Sequence, residues 1–453
     1  MFHNVLRYRN QILITLCGYV GHLLCGYGIS WTAPIIPKLE NPDESPLSRP
    51  LSDIEMSLLA SVLYIAGLPA VLSMSWFSNF KGRKASYVLS AIFYIIGFAM
   101  LGSATNFTMM FIARIINTFG FSIANMINTI YIGEIASSNI RGIFLTGLGV
   151  IQTLGSLILF SVGPFVSYSM VSYIGVAISS VYFLAVLCIP ESPVYLALKD
   201  EDKKLSQVLQ ILGRESEIKN IMELKNTQVK TNDLEDWKEL FTLKCNRKAL
   251  FITVTISVLN YLSGMLVVVF FSTSIFKMAD SSVAPSLATI IIGCTQLVGS
   301  IIAPFCVEIS GRRILLLVST GICCVSMVVF GFHFYLIHIN SPLVEHIKWL
   351  PLASLVVFFM SNNMGFGVIP STLTGELFNS NVRSKGTASV FVVSWISGFI
   401  ITTIFNTLIS SIGAYAVFWF FAFTCGLAFL FTLFFIPETK GKSLIEIQEM
   451  LSK

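Results

Sequence analysis

The sequence Tyr131-Ile132-Gly133-Glu134, followed by Arg141-Gly142, stands at the end of a long apolar run. A second corner of the same kind begins at Gly375-Glu376 and continues to Arg383. In both corners the arginine comes seven residues after the glutamate. A charged corner that recurs after two apolar runs predicts a chain built from two related halves.

The composition around these corners excludes a water-soluble globule. The chain has 453 residues, of which 55% are hydrophobic and only 12% are charged. A soluble domain carries about 25% charged residues, so this chain has too little polar surface to cover a globule in water. Lipid is therefore the predicted solvent.

The apolar residues form continuous runs rather than alternating with polar ones, which favours membrane helices over barrel strands. Each run reaches roughly the 20 residues that a helix needs to cross a bilayer. Twelve runs are predicted, at residues 10–33, 56–77, 85–104, 108–132, 143–164, 170–189, 248–273, 284–307, 314–337, 348–374, 386–409 and 412–436. The predicted fold is an all-α membrane protein with twelve transmembrane helices in two pseudo-symmetric six-helix bundles.

The basic residues predict which ends of the helices face the cytoplasm, because cytoplasmic loops carry an excess of lysine and arginine. The basic loop residues that fall on one side are Arg7, Arg9, Lys81, Arg83, Lys84, Arg141, Arg312, Arg313, Arg383, Lys385, Lys440 and Lys442. Both termini are therefore predicted to be cytoplasmic. On the opposite side, prolines at 34, 37, 42, 46 and 50 predict a first outer loop at 34–54 without a regular helix.

One long polar segment separates the two predicted halves. Within it Leu205, Val208, Leu209 and Leu212 recur at helical spacing, which favours an amphipathic helix. The predicted domains are an N-terminal six-helix bundle at 1–198, a cytoplasmic helical linker at 199–243, and a C-terminal six-helix bundle with its tail at 244–453. A disordered tether is the alternative for the linker.

Further motifs repeat in the same order in both halves. Gly82-Arg83-Lys84 is echoed by Gly311-Arg312-Arg313, and Pro190-Glu191-Ser192 is echoed by Pro437-Glu438-Thr439. Parallel halves that hold a substrate near the membrane midplane are a recurring transporter design.

The charged residues of these motifs are predicted to form a cytoplasmic gate of ion pairs that joins the two halves on one face. An arginine fork matches a carboxylate with two parallel hydrogen bonds. Exposed pairs contribute about 0–1 kcal/mol each, so several of them could bias the chain toward a closed cytoplasmic side without freezing it. The gate residues are Arg83, Glu134, Arg141, Glu308, Arg312, Glu376 and Arg383. The alternative is that the basic residues only set the topology.

With these motifs the chain resembles the sugar porter family of the major facilitator superfamily. The carrying residues are Gly82-Arg83-Lys84, Arg114, Gly133-Glu134 with Arg141, Pro190-Glu191-Ser192-Pro193, Gly311-Arg312-Arg313, Gly375-Glu376 with Arg383, and Pro437-Glu438-Thr439. Pro34-x-x-Pro37 and Leu51-Ser52-x-x-Glu55 resemble the arthropod branch that includes facilitated trehalose and glucose transporters. The resemblance implies alternating access and a sugar substrate.

The sugar site that the resemblance implies is altered in this chain. The family's glutamine pair on helix 7 is replaced by Asn260-Tyr261, and the asparagine that follows by Leu266. The usual asparagine of helix 8 is Gln296, and the first proline and the tryptophan of the helix 10 motif are absent from Phe366–Ser371. On helix 11 Ser394 precedes Trp395 where the family has asparagine before tryptophan.

A sugar hydroxyl both donates and accepts hydrogen bonds, so its site needs side-chain amides and an aromatic platform. The predicted substrate-binding residues are Gln152, Asn260, Tyr261, Gln296, Asn363 and Trp395, and Asn362 offers a further amide. The alternative is that several of these side chains only join neighbouring helices, at about 0.6 kcal/mol each.

No aspartate or glutamate falls inside any of the twelve runs. Proton relays in membranes use such carboxylates or histidine. Proton-coupled members of the family carry a first-helix aspartate where this chain has Gly28, so we expect facilitated diffusion. A relay through His22 is the alternative, and Arg114 is expected either to snorkel or to keep a family role. Two rival functions stay open: a sugar sensor that has lost transport, and a carrier of a different small polar solute.

The sequence predicts no enzyme, cofactor, metal site or nucleic-acid partner, and no obligate protein partner is evident. The nine cysteines lie in or beside apolar runs and none lies in an outer loop. Neither a disulfide framework nor a metal-ligand spacing is therefore expected. Asn106-Phe107-Thr108 is a glycosylation sequon on the outer side.

Overall fold

The computed structural model describes residues 8–215, 218, 233–378, 382–442, 446–447 and 450–451. Within these residues the chain forms helices and no strand. The helices of the first part are α1 Arg9–Ser30, α2 Thr32–Glu40, α3 Asp53–Lys81, α4 Arg83–Gly102, α5 Phe107–Ile135, α6 Ser138–Val162, α7 Tyr168–Cys188, α8 Pro193–Leu198 and α9 Asp202–Leu212. Those of the second part are α10 Asp233–Thr242, α11 Lys244–Leu262, α12 Met265–Met278, α13 Pro285–Ser310, α14 Arg312–His338, α15 Leu343–His346, α16 Leu350–Ser361, α17 Ile369–Leu377, α18 Arg383–Ile412 and α19 Ala414–Phe435.

Twelve helices or helix pairs of the described chain are long and apolar enough to cross a membrane. Three of these spans are interrupted. Helices α1 and α2 meet at Trp31, α11 and α12 meet at Ser263-Gly264, and a π-helix at Asn362–Phe366 joins α16 to α17. The predicted all-α fold with twelve membrane helices is confirmed.

The prediction that the first outer loop excludes a regular helix is wrong at its beginning. Helix α2 runs to Glu40 and contains Pro34 and Pro37. Pro34 lies in the first turn, where backbone N–H groups have no helical partner to lose. The helix also buries Ile35 and Ile36, which are 0% and 2% exposed, and this burial offsets the bond lost at Pro37.

The polar segment between the predicted halves is helical at both of its ends. Helix α9 buries Leu205, Val208, Leu209 and Leu212, as their spacing predicts. Gly213 ends α9 in the left-handed conformation that a glycine adopts readily. Helix α10 follows at Asp233–Thr242, and residues 216–217 and 219–232 lie outside the described residues.

Packing divides the chain into two compact units. The first consists of Met1–Trp31, Asn41–Pro50 and Ile65–Lys230, and the second of Thr32–Glu40, Leu51–Tyr64 and Thr231–Lys453. Helix α2 therefore packs with the second unit, against α12. The domain bounds 1–198, 199–243 and 244–453 stay a prediction.

Candidate functional site

The first charged corner holds a buried ion pair within the first unit. Arg83 donates from Nε to Oε2 of Glu134 at 3.1 Å and from Nη2 to Oε1 at 2.9 Å. The two side chains are only 8% and 14% exposed. The Ser192 hydroxyl donates a further hydrogen bond to Oε2 of Glu134. Two parallel bonds of this kind fix both the distance and the orientation of the pair.

A second glutamate, Glu191, stabilises the turn that precedes Arg83. Glu191 Oε1 accepts from the backbone N–H groups of Arg83 at 2.9 Å and of Ser192 at 2.8 Å. Burial raises the pKa of the Glu191 carboxyl, and these N–H groups lower it by less. Gly82 has a φ of +101°, and a Cβ there would lie 2.3 Å from Glu191 Oε2.

The second corner repeats this arrangement with a different fork. Arg312 donates from Nε at 3.1 Å and from Nη2 at 2.8 Å, and both bonds reach Oε1 of Glu376. The other oxygen, Oε2, accepts from the Thr439 hydroxyl at 2.6 Å. The pair is 21% and 25% exposed, so it is wetter than the pair in the first corner.

Glu438 takes the place of Glu191 in this second corner. It accepts from the backbone N–H groups of Arg312 at 3.0 Å, Arg313 at 3.1 Å and Lys440 at 3.0 Å. Burial acts to raise the pKa of the Glu438 carboxyl, but the N–H groups together bring it below its usual value. Gly311, with a φ of +81°, lies against the Glu438 carboxylate as Gly82 lies against Glu191.

Arg141 and Arg383 form hydrogen bonds with backbone carbonyls at the ends of the preceding helices. Each donates from Nη2 to a carbonyl five residues earlier, Arg141 to Ala136 at 3.3 Å and Arg383 to Phe378 at 3.4 Å. Neither arginine, nor Glu308, forms an ion pair with a described residue. Pairing of these groups between the two halves stays a prediction.

The end of α9 is attached to the first corner by residues that sequence reasoning missed. The Gln11 amide donates to Leu212 O at 2.8 Å and accepts from the backbone N–H of Ser137 at 2.9 Å. Arg214 donates to Glu134 O at 2.7 Å. These polar residues belong to no repeated motif, so the sequence carried no signal for them.

Several predicted substrate residues lie in the second unit, around the ends of α11 and the π-helix. Asn260 donates from Nδ2 to the Phe366 carbonyl at 3.0 Å. That carbonyl belongs to the π-helix, a rare irregularity that is frequent at functional sites. Tyr261 packs edge-on against Tyr64, with 6.0 Å between ring centroids, and Trp395 lies on α18 of the same unit.

The amides of α13 and the π-helix differ in whether they are already paired. Asn363 donates to Phe359 O at 2.9 Å within its own helix. Gln296 is 4% exposed, and its Nε2 has no partner among the described residues. Asn362 is fully buried, and neither of its side-chain polar atoms has such a partner. A buried amide left unpaired costs about 1–3 kcal/mol, so Gln296 and Asn362 are the groups that a polar ligand or water would satisfy.

Gln152 belongs to the first unit, on α6. Helices α1 and α6 meet backbone to backbone, since a Cβ on Gly26 would lie 1.8 Å from Gln152 O and one on Gly155 would lie 2.0 Å from Leu23 O. The half-buried Gln152 amide forms no hydrogen bond with a described residue. The Gln152 side chain therefore lies on a closely packed helix, and its amide is available to a ligand.

The same unit contains Arg114, which was expected either to snorkel or to keep a family role. Arg114 is fully buried and donates from Nη1 to Gly28 O at 2.7 Å. Its guanidinium lies 5.2 Å from the Trp31 ring. The expectation that it snorkels to the surface is wrong, because an internal carbonyl and an aromatic face replace water around its charge. His22 is also buried, with its Nδ1 3.4 Å from Asn128 Nδ2.

The outer glycosylation sequon lies at the start of α5. Asn106 is exposed, and its side chain caps α5 by accepting from the backbone N–H of Met109 at 2.9 Å. Whether it carries a glycan stays a prediction. Among the described residues no group of three or more histidine, cysteine, aspartate or glutamate side chains could hold a metal ion.

Comparison with known proteins decides the family. A family model described as "Sugar (and other) transporter" matches residues 14–451. The chain belongs to this transporter family. It is therefore a multi-pass membrane transporter and not an enzyme, as its sequence predicted.

Relatives and solved structures agree with the family. The chain is 27% identical to the facilitated trehalose transporter Tret1 of Culex quinquefasciatus over 98% of its own length and 86% of the relative. It is 28% identical to the longer Anopheles gambiae protein of the same name, of which it spans 56%. An inward open structure of the E. coli xylose transporter XylE covers 97% of this chain and 99% of its own, with a TM-score of 0.81 at 21% identity. A second structure is that of XylE, a major facilitator superfamily proton:xylose symporter, bound to 6-bromo-6-deoxy-D-glucose. The match covers 98% of this chain and 99% of XylE, with a TM-score of 0.75 at 22% identity. The major facilitator fold is confirmed.

Proposed function

We propose that this protein carries a hexose or trehalose across the plasma membrane by facilitated diffusion. Two six-helix halves, within 1–198 and 244–453, would expose the substrate to each side in turn, and both termini would lie in the cytoplasm. The family, and the trehalose transporters that the chain is similar to, support a sugar as the substrate class. The cytoplasmic gate would be built from the repeated corners, whose ion pairs in this structure each lie within one unit.

The observation that carries the proposal is the unpaired buried amide of Gln296. It lies on a helix of the second unit that also packs against the π-helix, where Gly299 approaches Asn363. An amide without a protein partner at membrane depth is an unmet donor, and a sugar hydroxyl would satisfy it. Tyr261 and Trp395 in the same unit would supply the aromatic surface.

Uptake of labelled glucose and trehalose into proteoliposomes tests this site. We expect saturable uptake, and a rise in KM of up to about tenfold in Gln296→Ala, which is the loss of one hydrogen bond. Gln207→Ala, an exposed linker glutamine of the same type, is the matched control. Equal KM values for wild type and Gln296→Ala would remove Gln296 from the site.

The residue beside Arg114 at position 28 supports uniport rather than proton symport. Gly28 contributes a carbonyl at 2.7 Å from Arg114 Nη1, where proton-coupled members of the family carry an aspartate. A Cβ on Gly28 would meet nothing within 4 Å, so Gly28→Asp can install a carboxylate beside Arg114. We expect wild-type uptake to be unchanged by a protonophore, and uptake by Gly28→Asp to become dependent on pH while Gly28→Asn stays independent. Protonophore-sensitive uptake by the wild type would contradict uniport.

The sensor function is the second candidate, because two predicted ligands are engaged internally. The amide donors of Asn260 and Asn363 are bound to the Phe366 and Phe359 carbonyls. A chain that binds labelled sugar without flux would be a sensor. A carrier that ignores sugars and moves another small polar solute would show saturable uptake only of that solute.

A further inference from the structure

An apolar groove lies within the second unit, between α11 and α19. It has a volume of about 320 Å³. Thr255 and Leu259 of α11 form one wall, and five apolar residues of α19 between Leu427 and Phe435 form the other. Phe434 and Phe435 are 73% and 54% exposed, so the groove opens outward from the unit.

The face of α11 that lines the groove continues toward its N-terminus. Steps of three and four residues lead from Thr255 to Phe251, Lys248 and Lys244, so these side chains share one helix face. Phe251 is 54% exposed, and its ring lies 5.6 Å from that of Phe431 and 5.9 Å from that of Phe435. The aromatic cluster joins the apolar groove to a basic end.

The basic end offers charge to a ligand that lies in the groove. Arg247 is exposed and Lys248 is half-buried, and neither forms an ion pair with a residue that the structure describes. Lys248 comes seven residues before Thr255, which is about 10 Å along the helix. The nearest acid along the chain whose side chain the structure describes is Glu239, nine residues before Lys248, so α11 itself contributes no acidic side chain beside Arg247 and Lys248.

Aromatic residues beside this end fit the level of lipid headgroups. On α10, Trp237 and Phe241 are 38% and 55% exposed and stack with 6.2 Å between ring centroids. Tryptophan and other amphipathic rings concentrate at the membrane interface. Leu240, one residue before Phe241, is fully buried, so α10 presents its aromatic pair outward while its other face packs inward.

We propose that this stripe binds one anionic phospholipid of the cytoplasmic leaflet. Its phosphate lies against Arg247 and Lys248, Phe251 packs on its glycerol region, and one acyl chain fills the groove beyond Thr255. The leaflet follows from the predicted topology, in which the start of α11 is cytoplasmic. The residues of this site are not among the predicted sugar-binding residues, and the proposal does not depend on what the protein carries.

Native mass spectrometry of the full chain in detergent tests the headgroup. We add phosphatidylglycerol or phosphatidylcholine with identical acyl chains. We expect the wild type to retain phosphatidylglycerol preferentially. In Arg247→Gln/Lys248→Gln the affinity for phosphatidylglycerol is expected to fall about fivefold for each charge removed. Lys203→Gln/Lys204→Gln, two exposed lysines of α9, removes the same charge elsewhere and is expected to retain the lipid as the wild type does.

The acyl chain is tested by filling the groove. Leu259→Trp is expected to reduce retention of both lipids, whereas Val298→Trp, at a 46% exposed position of α13 outside the groove, is expected to leave it unchanged. Equal retention of the two lipids by the wild type would overturn the proposal. The proposal would also be overturned if Arg247→Gln/Lys248→Gln and Leu259→Trp retained as much lipid as the wild type. The same holds if either control variant lost as much lipid as the variant it is matched to.

Discussion

Arg83 and Arg312 occupy equivalent positions in two repeated motifs, but they bind their glutamates differently. Arg83 spans both oxygens of Glu134, whereas Arg312 places both donors on one oxygen of Glu376. The sequence predicts the charged partners, since they recur at fixed spacing. It does not predict the two geometries: Arg83 Nε shares Oε2 of Glu134 with the Ser192 hydroxyl, whereas both Arg312 donors bind Oε1 of Glu376 and the Thr439 hydroxyl binds Oε2.

This difference makes Arg83 the less replaceable arginine. A lysine keeps the charge but cannot reach both oxygens in parallel. We expect Arg83→Lys to lose one charged hydrogen bond, about 1.5–3 kcal/mol of stability, and Arg312→Lys to lose less because its pair is more exposed. Thermal unfolding in detergent checks the order, and equal Tm values for the two variants would contradict it.

Glu191 and Glu438, which accept backbone N–H groups in the two corners, are predicted to change the stability of the protein with pH in opposite directions. The folded pKa of Glu438 is below its usual value of 4.5, so its contribution is present above that value and is lost as pH falls through the folded pKa. The folded pKa of Glu191 is raised above 4.5, so its contribution is lost as pH rises through the folded pKa.

Measurement of Tm against pH for two variants checks these signs. The destabilisation caused by Glu438→Gln should be larger at pH 7 than at pH 4. The Tm difference between wild type and Glu191→Gln should instead move in favour of the variant as pH rises. Parallel pH profiles for the two variants would show that the two corners do not differ electrostatically.

At the scale of the elements, the turns before α4 and α14 depend on glycine. Gly82 and Gly311 have positive φ values and face the carboxylates of Glu191 and Glu438. A side chain in the left-handed region costs roughly 1–2 kcal/mol before any clash. The repeated Gly-Arg sequence could be predicted to form a turn, but not the carboxylate that each glycine accommodates.

We expect Gly82→Ala to destabilise the protein by at least about 2 kcal/mol, and Gly311→Ala by somewhat less because its added Cβ would be 2.9 Å rather than 2.3 Å from the carboxylate. Gly142→Ala is the matched control, since it is helical and exposed and its Cβ would meet nothing within 4 Å. Thermal unfolding measures all three. A loss in Gly142→Ala as large as that in Gly82→Ala would mean that carboxylate contact is not the cause.

Helix α9 is attached to the membrane helices through few polar contacts, and one of them is the buried hydrogen bond from Gln11 to Leu212 O. Gln11→Leu keeps the size of the side chain but removes this bond, worth about 1 kcal/mol, together with the bond that Gln11 accepts from the backbone N–H of Ser137. We expect amide hydrogen exchange in residues 202–212 to rise about fivefold. Asn10→Leu, which removes a single exposed bond to Ile211 O, should have a smaller effect.

At the scale of the whole molecule, composition and hydropathy predicted the twelve spans, and the repeated motifs carried the family resemblance. They did not predict helix α2, because proline density argued for a loop while burial of Ile35 and Ile36 determined the outcome. Nor did they predict the π-helix or the burial of Arg114, since both depend on packing between helices distant in sequence. The predicted binding amides were found by residue type, and only the structure separates the unpaired Gln296 from the paired Asn363.

The central claim is that this transporter moves sugar down its own gradient without coupling to an ion. The most direct measurement is net uptake of labelled trehalose or glucose down its own gradient into proteoliposomes that have identical pH and ions on both sides and a pH-sensitive dye inside. We predict saturable net uptake that leaves the internal pH unchanged and is unaffected by a protonophore. Binding of these sugars without net uptake, or uptake accompanied by acidification of the interior, would contradict this account.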